Sequence, residues 1–390
     1  FGDASFDMKD RISNNTNIVP TFHALQSFSL VSGYMSDDYF GMMDDNEGAM
    51  GSSDRLDIAV GRIIADDLQQ ATEMVTKVQQ YYEQESYGSW RNRMTILSDD
   101  VDVDWEYTLE NELNNLADEI VSEKPFINMV KLHSDSFLQE SSAGGELYPQ
   151  ATESLLNNIQ LGSLVVNYFG HGGEDGLAHE RLFQKNDAQD LSNICRYNLF
   201  VTVTCEFTRF DNPLRQTGGE FTYWNPSGGA ISLVATTREI VVGLGISVNN
   251  ELSKYLFDYD DTGYVSIAEA VRLSKNNISN SLKRVVFSIG DPALKLAIPK
   301  PNIKLTHINN IPVGDPTAPA LEALGRVVLS GEVVNDLGQL IPDYSGKLST
   351  TIYDKKQNRS TLGNDGTTGG SGLLILNYET LGEIVFRGQA

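Results

Sequence analysis

Two side chains able to do nucleophilic chemistry each close an apolar run. Leu164-Val165-Val166-Asn167-Tyr168-Phe169 leads into Gly170-His171-Gly172-Gly173, and Leu199-Phe200-Val201-Thr202-Val203-Thr204 leads into Cys205-Glu206. Each run reads as a buried strand that stops at a reactive residue. His171 and Cys205 are 34 residues apart, about the length of a βαβ unit. The segment from Asp187 to Ile194 has a helix-like pattern that could supply the crossover. Parallel neighbouring strands end on one edge of their sheet, where open α/β folds hold ligands. A free thiol needs a base or a positive charge nearby to become a nucleophile at neutral pH. An imidazole there can take the thiol proton and return it to a leaving amine. The glycines around His171 permit close backbone approach, so amide N–H groups could face an oxyanion.

The elements that must position this pair read as alternating strands and helices, hence a mostly parallel sheet. Strands are expected at 56–62, 94–98, 126–132, 164–169, 199–204 and 228–235, and helices at 66–82, 108–122, 153–159, 248–257 and 266–276. Pro299-Lys300-Pro301 marks a boundary. Beyond it, short alternating strands at 327–335, 346–353 and 382–387 suggest a β-sandwich, with a mobile Gly/Ser/Thr-rich loop at 363–372.

With 390 residues and 40% apolar content, the chain is long enough for two or three domains with real cores. Its formal charge of −24, from 53 acids against 29 bases, argues against a nucleic-acid partner. Cys195 and Cys205 are the only cysteines, so there is no disulfide framework, and Cys195 reads as an inert buried thiol. No apolar run is long enough to span a membrane, and no signal peptide is present. The chain reads as a piece of a larger polypeptide, without its N- and C-terminal domains. Glu106, Glu110, Glu112 and Glu174 are all candidates to orient the imidazole, and His179 reads as a surface residue.

Two acidic stretches suit calcium. In the run from Asp258 to Glu269, the spacing of Asp258, Asp260, Thr262, Tyr264 and Glu269 fits a helix–loop–helix calcium loop, with Gly263 at its turn position. Ser36-Asp37-Asp38-Tyr39 with Asp44-Asp45-Asn46-Glu47 is the second candidate.

Several segments together resemble the gingipain-like cysteine peptidases of the caspase-like clan. They are Phe1-Gly-Asp-Ala-Ser, Val19-Pro-Thr, Ser36-Asp-Asp-Tyr-Phe-Gly, Asp57-Ile-Ala-Val-Gly-Arg, Asn167-Tyr-Phe-Gly-His-Gly-Gly, Thr204-Cys-Glu-Phe-Thr-Arg-Phe-Asp and Ile289-Gly-Asp-Pro-Ala-Leu, spread over residues 1–300. The flank carrying Ile352-Tyr-Asp-Lys and Thr361-Leu-Gly-Asn-Asp is more similar to the PorU-like sortases of type IX secretion. The resemblance implies a caspase-like three-layer α/β sandwich over 1–300, in subdomains of about 1–135 and 136–300. An incomplete immunoglobulin-like β domain would follow at 301–390. It makes His171 the general base and Cys205 the nucleophile, with the Gly172 and Cys205 backbone N–H groups as oxyanion hole. The implied activity is removal of C-terminal secretion signals from cargo proteins through an acyl-thioester, with transfer to anionic lipopolysaccharide. The chemistry would need no cofactor, with calcium as a structural ion. The implied setting is the outer face of a bacterial outer membrane, beside a β-barrel anchor such as PorV. The alternatives are a secreted hydrolytic peptidase and a non-catalytic cargo-binding module.

Overall fold

The computed structural model describes residues 1–26, 32–260, 263–299, 303–322, 325–335 and 337–389. Its centre is a six-stranded sheet made of β1 (Arg93–Ser98), β2 (Asn128–His133), β3 (Val165–Phe169), β4 (Asn198–Thr202), β5 (Ala230–Thr236) and β6 (Val286–Ile289). The order across the sheet is β6-β5-β4-β3-β1-β2. The first five strands run parallel and β6 closes one edge antiparallel to β5. Strands from both the 1–135 and the 136–300 stretches therefore share one mixed sheet.

β3, β4 and β5 are buried along their whole length, which is why they read as continuous apolar runs rather than alternating ones. Helices cover both faces. Val166, Tyr168, Phe200, Leu233 and Ala235 share a core with Met74 of α1 (Leu68–Tyr82) and Leu155 and Ile159 of α3 (Pro149–Leu161). The alternate residues face the other way. There Asn167 hydrogen-bonds Asn249 of a helix spanning Val242–Leu256, and Phe169 meets Gly245 of the same helix. α2 (Tyr107–Glu123) packs against that helix as well as against β1, β2 and β3.

Residues 56–62 do not form the expected strand. Only Arg62 bridges to the sheet, beside Ile289, because its side chain turns inward to Asp37. The helix over Gly218–Trp224 was not apparent in the sequence; a capping box from Thr217 to Glu220 starts it.

The chain divides into two compact units, one of residues 1–297 with 354–383, the other of residues 298–353 with 384–390. In the second unit, Ile303–Ile308 pairs with Ile311–Pro312 and Leu329–Val333, and Ser349–Tyr353 pairs with Ile384–Gln389. These antiparallel pairings are β structure, as expected. In the first unit, Gln357–Ser360 pairs with Asn377–Thr380. The expected mobile loop at 363–372 is instead anchored. Gly363 N, Asn364 N and Asn364 Nδ2 all donate to the Asp135 carboxylate, and Thr368–Gly369 pairs with Gly372–Leu373. Tyr378 stacks edge-on against His133 at 4.6 Å and donates to Ser136.

Candidate active site

The pairing of β3 with β4 sets Tyr168 opposite Thr202, so His171 and Cys205 each lie three residues beyond matched positions. Neighbouring strands are about 4.8 Å apart. The loops after the strands are tied one residue short of each reactive side chain, where Thr204 Oγ1 donates to Gly170 O at 2.6 Å. Thr236 on β5 donates in turn to Thr204 O. Glycine is required on both sides of the histidine by close approach. A Cβ on Gly170 would lie 2.5 Å from Asp99 Cβ and from Tyr168 Oη, and one on Gly172 would lie 2.7 Å from the Thr204 side chain.

His171 is held at backbone and ring. Its N–H donates to Asp99 Oδ2 at 2.6 Å, and its carbonyl accepts from Tyr168 Oη at 2.6 Å. Nε2 lies 2.8 Å from Glu106 Oε1. Of the four acids left open by the sequence, Glu106 therefore makes the contact. Its side chain is 7% exposed against 35% for the imidazole, and its second oxygen accepts from Val103 N at 2.8 Å. An ionised Glu106 is acceptor-only, so Nε2 carries the hydrogen and Nδ1 is left with its lone pair. Trp105 meets the ring edge-on at 5.8 Å and His179 stacks on it at 5.0 Å. His179 is thus part of the site rather than a detached surface residue. Glu174 turns to Asn212, Arg209 and Arg215, and Glu110 is wholly buried on α2.

Cys205 is a free, half-buried thiol. Burial pushes it above the ordinary thiol range, with Glu239 and Glu206 adding to the rise and a hydrogen bond from the Ile240 backbone opposing it. A thiol in that setting stays protonated at rest and needs a base to ionise it. The next residue, Glu206, adopts a left-handed backbone at φ 55°, the kind of local strain that collects at functional turns. Cys195 is also free, and it is half-exposed rather than buried. Beside His171 opens a cleft of about 490 Å³, lined by Gly172, Gly173, Glu174, His179, Glu206 and Arg215 among others.

The sequence-predicted calcium sites fare differently. Tyr259–Asp260 and Gly263–Tyr264 pair as a small hairpin, and Thr262 lies outside the described residues. Glu269, expected to close the loop with two oxygens, gives both to the Arg272 guanidinium at 2.6 and 2.8 Å, so this set does not fit calcium. In the second stretch, Asp37 takes the Arg62 guanidinium on both oxygens at 2.6 and 2.7 Å. Asp38 takes Lys275 at 2.7 Å. These carboxylates are internal ion-pair partners, which corrects the calcium reading there. Asp99, which holds the His171 backbone, was missed as a site residue. Its signal was an acid placed directly after the end of β1.

Among proteins of known structure, the fold matches the Arg-specific cysteine proteinase gingipain R (RgpB) with a TM-score of 0.54 and 12% identity, over 90% of this chain and 79% of that one. The complex of Porphyromonas gingivalis RgpB pro- and mature domains matches with a TM-score of 0.54 and 12% identity, over 90% and 81%. Dimeric latent PorU from Porphyromonas gingivalis is 20% identical over 96% of this chain and 29% of that chain, with a TM-score of 0.37. No curated protein matches the chain. The family model for Peptidase family C25 matches residues 1–297, and the chain therefore belongs to that family, the gingipain family of cysteine peptidases.

Proposed function

We propose that this protein is a cysteine endopeptidase in which Cys205 is the nucleophile and His171 the general base. The observation that carries the reading is the matched ending of β3 and β4, laced by Thr204 and Gly170, with Glu106 on Nε2 of the imidazole. Nδ1 of His171 takes the thiol proton as sulfur bonds to the scissile carbonyl carbon. The carbonyl oxygen becomes an oxyanion facing the backbone N–H groups of Gly172 and Cys205. Collapse breaks the C–N bond, the imidazolium gives its proton to the leaving amine, and an acyl-thioester remains. Glu106 holds the ring in the orientation and tautomer that this proton shuttle needs.

The acceptor that resolves the thioester separates two outcomes. Water gives a free carboxyl end. An amine of an anionic lipopolysaccharide gives a ligated product, as expected of a sortase that removes C-terminal signals from secreted cargo at the outer-membrane surface. The sortase reading is supported by the sequence likeness of the segments around 352 and 361. No described helix is long and apolar enough to cross a membrane; the partner proposed at that surface is a β-barrel anchor.

Cys205→Ala is expected to lower processing of a cargo with its C-terminal signal by at least about a thousandfold. Unchanged processing would overturn the assignment. Mass analysis of the new C-terminus from the active protein, with an amine acceptor present, then distinguishes ligation from hydrolysis.

A further inference from the structure

Close to His171 lies a concentration of acids that the peptidase chemistry does not use. One oxygen each of Asp99, Asp100 and Glu180 lie within 4.8 Å of one another. All three residues are buried, at 2%, 4% and 5% exposure. Asp100 belongs to a second such group with Asp102 and Asp365, and Glu180 to a third with Asp102 and His179. The three groups are thus linked, with Asp100, Asp102 and Glu180 each belonging to two of them.

Among the described residues, none of these five carboxylates pairs with lysine or arginine. Their neutral donors are few. Asp99 Oδ2 receives the His171 N–H, Asp100 Oδ2 the Tyr148 hydroxyl at 3.0 Å, and Asp365 Oδ1 the Gln139 amide at 3.0 Å. A second observation points to a missing ligand, since Asp99 Oδ1 is buried with no hydrogen-bond partner at all. Glu110, fully buried on α2 and facing Asp135 and Asp100, has neither oxygen partnered.

Carboxylates this close and this buried repel one another, and their desolvation goes uncompensated unless protons or a cation join them. Hard oxygen donors in excess, with one imidazole at the margin, suit calcium better than a soft-ligand metal.

We propose that Asp99, Asp100 and Glu180, with Asp102, His179 and Asp365 around them, bind a calcium ion beside the candidate catalytic histidine. Oδ1 of Asp99 is the ligand atom left open, since Oδ2 already receives the His171 N–H. The ion joins three distant stretches of chain: the loop after β1, the turn at 179–180, and the anchored segment at 365. It therefore stiffens the backbone that carries His171 without touching the reacting atoms. The proposal does not depend on His171 being the base.

The test is calcium chloride titrated by calorimetry into the EDTA-stripped full chain at about pH 8, where free carboxyls are ionised, with thermal melts in parallel. The expected result is a single ion with a dissociation constant below about 1 mM. At a hundredfold excess over that constant the melting temperature should rise by about 3–4 °C. Asp100→Asn should abolish binding while melting no lower than the stripped parent, because it removes a repelling charge. Asp365→Asn, at an exposed position, should weaken binding several-fold with the stripped melt unchanged. Melts and heats indifferent to calcium would overturn the proposal, as would Asp100→Asn binding like the parent. An equal response to magnesium chloride would overturn calcium as the ion. Loss of binding in Asp258→Asn instead would move the ion to the hairpin and overturn the site.

Discussion

The chain contains two buried Asp-Asp pairs, and the fold treats them in opposite ways. Asp37 and Asp38 receive Arg62 and Lys275, so their charge is neutralised from within the fold. Asp99 and Asp100 receive neutral donors rather than a cation: the His171 amide and the Tyr168 hydroxyl at Asp99, the Tyr148 hydroxyl at Asp100. The first pair braces the N-terminal segment against the sheet, since Arg62 also donates to Gly2 O and Val19 O. The second lies on the reactive edge and leaves charge uncompensated. The dipeptide itself therefore says nothing of its role. What decides is whether a cation from elsewhere in the chain arrives at it.

The sharpest way to break this comparison is to remove a cation from the first pair. Arg62→Met should cost about 3–5 kcal/mol in urea unfolding, because it strands Asp37 as a buried unpaired charge. A loss under about 1 kcal/mol would make the two pairs equivalent. Glu106, also on the reactive edge, has a partner of its own in His171. Glu106→Gln should lower kcat by about tenfold to a hundredfold with little change in KM or stability. A matching rise in KM would reassign Glu106 to substrate binding.

On the second pair, Asp99→Asn in calcium-free buffer should change stability by less than about 1 kcal/mol, since the amide oxygen can still accept the His171 N–H. A larger loss would mean that the Asp99 charge is already satisfied inside the fold.

Glu220 gives a useful control. It is a buried acid with no cation, held by the Thr217 N–H and hydroxyl at 2.7 and 2.6 Å, and burial pushes it up to about 8. Its folded pKa lies above the unfolded value, so its stabilising contribution is full below the ordinary carboxyl range and is lost as pH rises through about 8. Glu220→Gln mimics the protonated form. Its stability relative to the parent should rise with pH across that window, and a flat difference would show that the carboxyl is ionised throughout.

The strand ends were legible because a strand buried on both faces leaves an unbroken apolar run, as at 164–169 and 199–204. Their adjacency was an expectation from length, and the register of Tyr168 with Thr202 bears that adjacency out. Glu106 could not be singled out from Glu110 one turn on, because periodicity does not say which carboxylate meets a loop from another part of the sheet. The calcium expectation at the Asp37-Asp38 stretch failed on long-range partners. Arg62 lies 25 residues from Asp37, and Lys275 lies 237 from Asp38, distances at which composition and spacing carry no information. The Gly/Ser/Thr-rich stretch near 363 read as mobile for the same reason, since its anchor, Asp135, is 229 positions away from Asn364.

That anchor sets an order of events in synthesis. Asp135 and His133 are made early, yet Asn364 and Tyr378, which cap them, emerge more than 220 residues later. Closing so large a loop is slow compared with local helix formation. The sheet and its two strand ends can assemble while the chain is still growing, but the flank beside the candidate base stays open until residues 364–378 emerge. A member of this peptidase family thereby completes its reactive edge only after residues 364–378 have been made.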